Sequence, residues 1–362
     1  MHKLGISVYP TQSCLEEMIH YIELSAKYGF KRVFTNLLSV KNDDEAVFQK
    51  FKSVVRVATE NNMIVIADIN HKVFKDLNLT PKDLSFFKSL GVSGIRVDAG
   101  FSAQEIAQMS YNQEHMFVEL NISVSATFIE DVLSYKPNLN QLIGCHNFYP
   151  QTYTGLSYNR LITTSESYKK NAIKTAAFVT SQEGKIGPWK IMEGLPTLES
   201  HRNLLTTVQA KHLLMTNVID DLLIGNAFAS ESELRALSEI NLTMPSFDVY
   251  LSNDITSLDR KVIEKEFHFN RGDVSDYVIR STMSRVHYKN EDFPPNSTNQ
   301  IVKGDIMICN DAYGHYKGEM QIALQDMVNK GYKNVIGHVR KEEHFLLDLL
   351  EPWQPFELKV IS

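Results

Sequence analysis

Apolar residues in the first 240 or so positions follow two alternating periods. Short runs of strand type are LGISVY (4–9), RVFTN (32–36), MIVIADIN (63–70), GIRVDA (94–99), FVELN (117–121), LIGCHNF (142–148), KTAAFV (174–179) and DDLLIG (220–225). Helical patterns separate most of them. In CLEEMIHYIELSAKYG (14–29) apolar side chains recur every three to four residues; Ser13 is the expected N-cap and Gly29 the stop. DDEAVFQKFKSVVRVATEN (43–61) and SAQEIAQMSYN (102–112) are of the same kind. Eight strands in alternation with helices over about 240 residues is the tally of a (β/α)8 TIM barrel. A doubly wound open sheet is the competitor. Its dinucleotide-binding form carries a glycine fingerprint after the first strand, whereas here Pro10 follows that strand with no GxGxxG.

Beyond about residue 245 the texture changes. FDVYLS, EFHFNRGD, YVIRST, GDIMICN, NVIGHV and FELKVIS are strand-like pieces divided by turn signals, and GEMQIALQDMVNK (318–330) reads as one helical patch among them. The expected division is a barrel over residues 1–244 and a smaller, mostly β domain over 245–362, making the chain α/β overall.

Composition narrows the function classes. Charged residues are 22% of the chain and the net charge is −6, with no basic face suited to nucleic acid. Three scattered cysteines, Cys14, Cys145 and Cys309, make neither a disulfide framework nor a CxxC pair, which fits a reducing compartment. The opening MHKLGISVYPTQS is too short in apolar residues for a secretory signal, and no run of about 18 apolar residues is present. A cytoplasmic protein that neither spans nor binds a membrane is expected; a homo-oligomer stays open.

A barrel strand points alternate side chains into the lumen. With Val118 and Leu120 facing the helices, Phe117, Glu119 and Asn121 point inward; so do Arg96 and Asp98 in the fourth strand, and Ile64, Ile66, Asp68 and Asn70 in the third. Three successive strands thus bring a carboxylate toward the carboxyl end, where barrel enzymes hold their active sites. Plainer readings stand beside this one. Asp68 and Asn70 suit helix N-caps, Arg96 and Asp98 a structural ion pair. An isolated Glu119 is seldom buried without a partner or a task. No HExxH, HxH or cysteine pair accompanies these residues, so neither a metal nor a cofactor is expected. A Schiff-base lysine is missing from the three strands, though Lys174 opens the seventh. Paired carboxylates working on a glycosidic bond need no cofactor. Aromatic residues in or near loops (Tyr9, Phe148, Tyr149, Tyr153, Trp189) suit a sugar ring, and Lys190, His201 and Arg202 in GPWKIMEGLPTLESHR (187–202) suit an anion.

Taken in order, LGISVYP, YGFKRVFTNLLSV, GIRVDAGF, HNFYPQTYTGLS, EGLPTLESHR, DDLLIGNAFAS and HFNRGDVSDYVIRSTMSRV resemble the 6-phospho-N-acetylmuramidase family of bacteria, over nearly the whole chain. The resemblance implies a TIM barrel followed by a cyclophilin-like β domain. It also implies hydrolysis of a small phosphorylated disaccharide such as MurNAc-6-phosphate–GlcNAc in peptidoglycan recycling. Asp98, Glu119, Asn121, His146, Asn147 and Tyr149 match the family's barrel-mouth motifs. KIGPW (185–189) departs from the basic residue expected directly before Gly-Pro, which leaves the sugar preference open.

The expected mechanism puts Glu119 as general acid, Asp98 as second carboxylate and Asp68 as its substitute. Adjacent strands would give Asp98 and Glu119 the roughly 5–5.5 Å of a retaining pair, and Asp68 the wider inverting one. Tyr9, Asn70, Asn121, His146, Asn147 and Tyr149 are expected on the sugar. Arg96, Arg202, Arg271 and Arg280 are expected on its phosphate or carboxylate, with pairing of Arg271 and Arg280 to Asp273 or Asp276 as the plainer account. Two rival functions remain: a phosphosugar aldolase or isomerase, and a non-catalytic sugar-phosphate sensor. An adhesive role for the RGD of 271–273 conflicts with the lack of an export signal.

Overall fold

The computed structural model describes residues 2–36, 45–76, 79–98, 100–296 and 300–361. They form two compact units, residues 1–239 and 240–362.

The first unit is a closed barrel of eight parallel strands in sequential order. Its elements are β1 (Leu4–Val8), α1 (Leu15–Lys27), β2 (Arg32–Asn36), α2 (Glu45–Glu60), β3 (Ile64–Ile69), α3 (His71–Asp76), α4 (Ser85–Ser89), β4 (Gly94–Val97), α5 (Ala103–Met109), β5 (Phe117–Asn121), α6 (Phe128–Ser134), β6 (Leu142–Cys145), α7 (Tyr158–Lys169), β7 (Lys174–Val179), α8 (Thr206–Met215), β8 (Asp221–Ile224) and α9 (Glu231–Ser238). The strands are buried on both faces because helices cover one side and the closed lumen the other; every residue of β1 and β2 is buried. Strand positions follow the apolar runs to within a few residues. The expected start of the second helix at Asp43 lies outside the described residues, as does Ala99.

Helix starts show what local chemistry contributes. Ser102 and Ser230 each accept from the backbone N–H three residues on, while Glu105 and Glu233 return the bond, closing capping boxes on α5 and α9. The expected cap at Ser13 is not made: Cys14 takes the N-cap position of α1 without a side-chain bond, and the Ser13 hydroxyl is buried with no hydrogen-bond partner among the described residues. Gly5 has a different task, inside the barrel. It lies opposite Arg32 in the β1–β2 register, and a Cβ there would come within 2.8 Å of the Arg32 Cβ. Its bare backbone leaves the arginine room in the lumen.

The second unit contains β9 (Ser246–Leu251), α10 (Ser257–Lys265), β10 (His268–Phe269), β11 (Val278–Ser281), α11 (Met283–His287), β12 (Gln300–Ile301), β13 (Asp305–Cys309), β14 (Met320–Ala323), β15 (Met327–Val328), β16 (Lys333–Val339) and β17 (Pro355–Val360). Seven of these strands form one sheet, in the order β10-β17-β9-β16-β13-β14-β11. The helical reading of 318–330 is corrected: the segment supplies β14 and β15. Met320, Ala323, Leu324 and Met327 keep a helical spacing while Met320 and Ile322 keep period two, and pairing with both β11 and β13 decides between them.

Candidate active site

Arg32 and Asp221 open β2 and β8 at the amino end of the barrel. Asp68, Asn121 and Asn36 stand at the carboxyl ends of β3, β5 and β2, and Asp98 follows β4. Glu119 lies midway along β5. All of them sit on the inward register, and five charged groups, Asp221, Arg32, Glu119, Arg96 of β4 and Asp68, form a chain of alternating charge through the barrel. Arg32 Nη1 donates to Asp221 Oδ2 at 2.9 Å and Nη2 to Glu119 Oε2 at 2.5 Å. Glu119 Oε1 is 3.6 Å from Arg96 Nη1, and Arg96 Nε is 3.7 Å from Asp68 Oδ1. Arg96 also donates to the Cys145 carbonyl at 2.8 Å and to Asn147 Oδ1 at 2.5 Å. Glu119 is fully buried and Arg32 and Arg96 nearly so. Charges so deep persist only when paired, since removing one partner strands the other in a low dielectric.

Two cavities lie close to these strands, and one of them touches the Asp221–Arg32 end of the chain. One, of about 280 Å³, opens at the amino end between Arg32, Ile64, Phe117, Lys174 and Asp221. The other, of about 310 Å³, lies beyond β4 and β5 with Asp98 and Asn121 in its lining and Phe101, Ile106 and Phe128 as apolar walls. That volume is at the small end of ligand sites. Asp98 Oδ1 accepts from Asn121 Nδ2 at 3.0 Å, and Asn121 Oδ1 accepts from the Ser123 N–H at 3.1 Å. Neither Glu119 nor Asp68 lines either cavity.

Asp68 is a largely enclosed carboxyl group at the end of this chain. Its side chain is 14% exposed. Burial drives its pKa up to about 7, helped by the negative charges of Asp98 and Glu119 and opposed by Arg96. Its Oδ1 has no hydrogen-bond partner among the described residues, nor has Oδ1 of the neighbouring Asn36, its partner in the β2–β3 register. Two buried acceptors side by side call for a donor from outside, such as a hydroxyl group.

On the β7 side the lumen is apolar. Phe34, Phe148 and Phe178 meet edge-to-face with ring centroids 4.9–5.9 Å apart, and Tyr9, Leu195 and Leu223 pack with them. A polar arc on β3, β4 and β5 thus faces an aromatic arc, an arrangement suited to a ring with one polar edge.

Several expected sugar contacts serve the fold instead. His146 is buried with Nδ1 3.1 Å from Ser123 Oγ and Nε2 2.8 Å from Ser165 Oγ, and burial brings its pKa down to about 3, so it is a neutral packing residue. Tyr9 is buried and its hydroxyl donates to the Gly225 carbonyl. Asn70 accepts from the Val73 N–H at 3.1 Å at the start of α3, the capping role that its position suggests as the plainer account. Arg202 has no donor left for an anion: it holds Glu199 through two bonds and donates to the carbonyls of Tyr149, Gln151, Glu193 and Gly194. Glu199, with its pKa near 2 through Arg202, also accepts from the Tyr153 and Gly155 N–H groups. This pair binds the loop after β6 to the loop after β7. Asn147 and Tyr149 stay half-buried at the rim, with Asn147 oriented by Arg96. Arg271 and Arg280 belong to the second unit and pair with Asp273 and Glu319.

Arg32, Asn36 and Glu199 are absent from the sequence-based expectations. Period two in RVFTN does set Arg32, Phe34 and Asn36 on one side of the strand, so the first two polar residues carry a local signal. Glu199 has no such signal, because its partners come from another loop. Among the described residues, no three His, Cys, Asp or Glu side chains gather as a metal site requires, and no helix is long and apolar enough to cross a membrane.

Comparison with known proteins assigns both units. Residues 4–239 match the model described as 6-phospho-N-acetylmuramidase, N-terminal, and residues 245–359 its C-terminal counterpart. A comparison with curated proteins gives no match. Among solved structures, an uncharacterized B. cereus protein is 43% identical with a TM-score of 0.92, each chain covered in full. A conserved Enterococcus faecalis protein of unknown function is 24% identical with a TM-score of 0.74, covering 99% of this chain and 97% of its own; at that identity it speaks for the fold alone. With both halves matched in order, the chain belongs to the 6-phospho-N-acetylmuramidase family of glycosidases.

Proposed function

We propose that the protein hydrolyses the glycosidic bond of a disaccharide carrying N-acetylmuramic acid 6-phosphate, such as MurNAc-6-phosphate–GlcNAc, in cytoplasmic recycling of peptidoglycan. The observation that carries the mechanism is Asp68: a carboxyl group at the barrel mouth, pKa about 7, with one oxygen unpartnered. A group that gains and loses a proton near neutral pH suits general acid and base work. Asp98 is the second carboxylate. It stays in contact with solvent and is oriented by Asn121. On this reading Glu119, the general acid expected from sequence, is a positioning residue: Arg32 holds one of its oxygens, the other lies 3.6 Å from Arg96 without a hydrogen bond, and it fixes the charge beside Asp68.

Asn36, Asn121, Asn147 and Tyr149 hold hydroxyl or N-acetyl groups on this reading, with Phe148 and Trp189 beside the ring. Arg160, half-exposed and donating to the Ser123 and Val124 carbonyls, is the rim cation for phosphate or lactyl carboxylate. The test is incubation of wild type and Asp68→Asn with phosphorylated and unphosphorylated muramyl disaccharides, with products read by mass spectrometry. Wild type is expected to cleave the phosphorylated form, and the variant to be slower by about 10²–10⁴-fold. Cleavage of neither disaccharide by wild type removes the substrate assignment. Unimpaired turnover by Asp68→Asn removes the mechanism.

A further inference from the structure

A second polar network lies on the sheet of the second unit, and the proposed hydrolysis makes no use of it. Arg280 on β11 lies directly opposite Gln321 on β14. Glu319 precedes Gln321 by two residues and is fully buried. Arg280 donates to both its oxygens, Nε to Oε1 at 2.9 Å and Nη2 to Oε2 at 3.2 Å. Gln321 Nε2 donates to the same Oε1 at 2.7 Å. Arg285, from α11, brings Nη1 to 3.3 Å from Oε2, out of line for a hydrogen bond.

The network is incomplete in two places, and the two are of opposite kind. Among the described residues, Arg285 Nη1 is a buried donor without a hydrogen-bond partner, and Gln321 Oε1, on a residue 6% exposed, is a buried acceptor without one. Leaving a buried polar group unmade costs about 1–3 kcal/mol, so each such group asks for an explanation. Asp273 Oδ2 also lies 3.8 Å from Arg280 Nη1, and Arg271 Nε is 2.5 Å from Asp273 Oδ1, so three guanidinium groups meet two carboxylates and one positive charge is left over. Beside it stands a group of tyrosines. The Arg285 guanidinium lies 5.6 Å from the Tyr316 ring centre, Tyr313 is 5.4 Å from Tyr316, and Tyr332 stacks on Tyr313 at 5.1 Å.

A ligand that completes this network must offer an anionic acceptor to Arg285, a donor to Gln321, and a face to the tyrosines. We propose that these residues form a ligand site carried by the second unit alone, for a hydroxylated sugar bearing a carboxylate or a phosphate. Its hydroxyl or amide N–H would meet Gln321 Oε1 and its anionic group Arg285. Glu319 and Arg280 would hold the two in place. The site does not depend on the barrel chemistry.

Met307 supplies a local reporter, because it is opposite Gln321 in the β13–β14 register. The full chain labelled on methionine methyl groups, with the Met307 resonance assigned by Met307→Leu, is titrated with three monosaccharides that contain no glycosidic bond to cleave. N-acetylglucosamine 6-phosphate carries phosphate, N-acetylmuramic acid carries carboxylate, and N-acetylglucosamine carries neither. Saturable movement of the Met307 signal by one or both anionic sugars is expected, and which of them acts names the anion. Arg285→Leu and Gln321→Leu should each weaken the effect at least tenfold while leaving the unliganded Met307 signal in place. Should one variant fail to fold, the other decides. No movement with either anionic sugar overturns the proposal; so does movement that N-acetylglucosamine matches or that both variants retain. The disaccharide assay is separate and fails or succeeds independently.

Discussion

Two buried glutamates, one in each unit, are each held by two arginines, and they behave as opposites. Around Glu119 the arginines are themselves enclosed, with side chains 5% and 3% exposed, and every charge passes to another: Asp221, Arg32, Glu119, Arg96, Asp68. Around Glu319 the arginines are 20% and 22% exposed; among the described residues, buried polar atoms without a hydrogen bond occur in both networks, Arg32 Nε, Glu119 Oε1 and Asp68 Oδ1 in the barrel and Arg285 Nη1 and Gln321 Oε1 in the β unit. The same residue types therefore make a closed chain in the barrel and an open network in the β unit. What separates them is access to water, because a guanidinium that can turn to solvent regains its hydration when its partner is lost.

The largest effect should come from breaking the closed chain. Arg32→Met leaves Asp221 with the Lys3 N–H and takes the hydrogen-bonded half of its pairing from Glu119, which is fully buried. A loss of about 3–5 kcal/mol in unfolding free energy is expected, measured by denaturant titration. A loss below about 1 kcal/mol would mean that the barrel interior solvates these charges, contrary to the low-dielectric account.

The closed chain also ends in a group that titrates near neutral pH. Asp68 has its folded pKa raised from 3.8 to about 7, so between these values the folded protein keeps a proton that the unfolded chain has released. Stability from this group is present at low pH and is lost as pH rises through about 7. Asp68→Asn removes the dependence. The difference in unfolding free energy, variant minus wild type, should grow by roughly 2–3 kcal/mol between pH 5 and pH 8. A difference that stays flat over that range means that Asp68 is not a raised carboxyl group, and the mechanism loses its acid.

Next in size is Glu319→Gln, which leaves two arginines that reach solvent. About 1–3 kcal/mol is expected, measured as before, and less than for Arg32→Met. An equal or larger loss would make the second network as closed as the first and would weaken its case as a ligand site.

The sequence shows the two networks unequally. Strand positions, the closed barrel and the inward side of β3, β4 and β5 are legible in period two and in the alternation with helices. A parallel barrel repeats one simple pattern, and the pattern is local. Which inward residues do chemistry is a different matter. Glu119 is conspicuous as a lone acid in an apolar run, but what it meets comes from β2, some 87 residues away in the chain. Asp68 reads as a possible cap, and only burial by its surroundings sets it apart. Arg202 reads as an anion binder until six contacts with loop groups occupy it. In GEMQIALQDMVNK helical and strand periods are both present, and tertiary pairing chose. Local periods are thus legible from sequence, whereas desolvation and long-range pairing are not.

The smallest effect isolates the variable that the comparison rests on. Arg271 Nε lies 2.5 Å from Asp273 Oδ1, the same separation as Arg32 and Glu119. Distance alone would give the two pairs equal weight. Their surroundings differ: the side chains of Arg271 and Asp273 are 32% and 60% exposed. At a water-like dielectric the attraction falls to about 1 kcal/mol or less, and ordering two mobile side chains offsets much of it. Asp273→Asn should therefore change unfolding free energy by less than about 1 kcal/mol, and raising salt should shrink even that. If Asp273→Asn costs as much as Arg32→Met, short contact rather than exclusion of water governs these pairs, and the distinction between the closed and the open network falls with it.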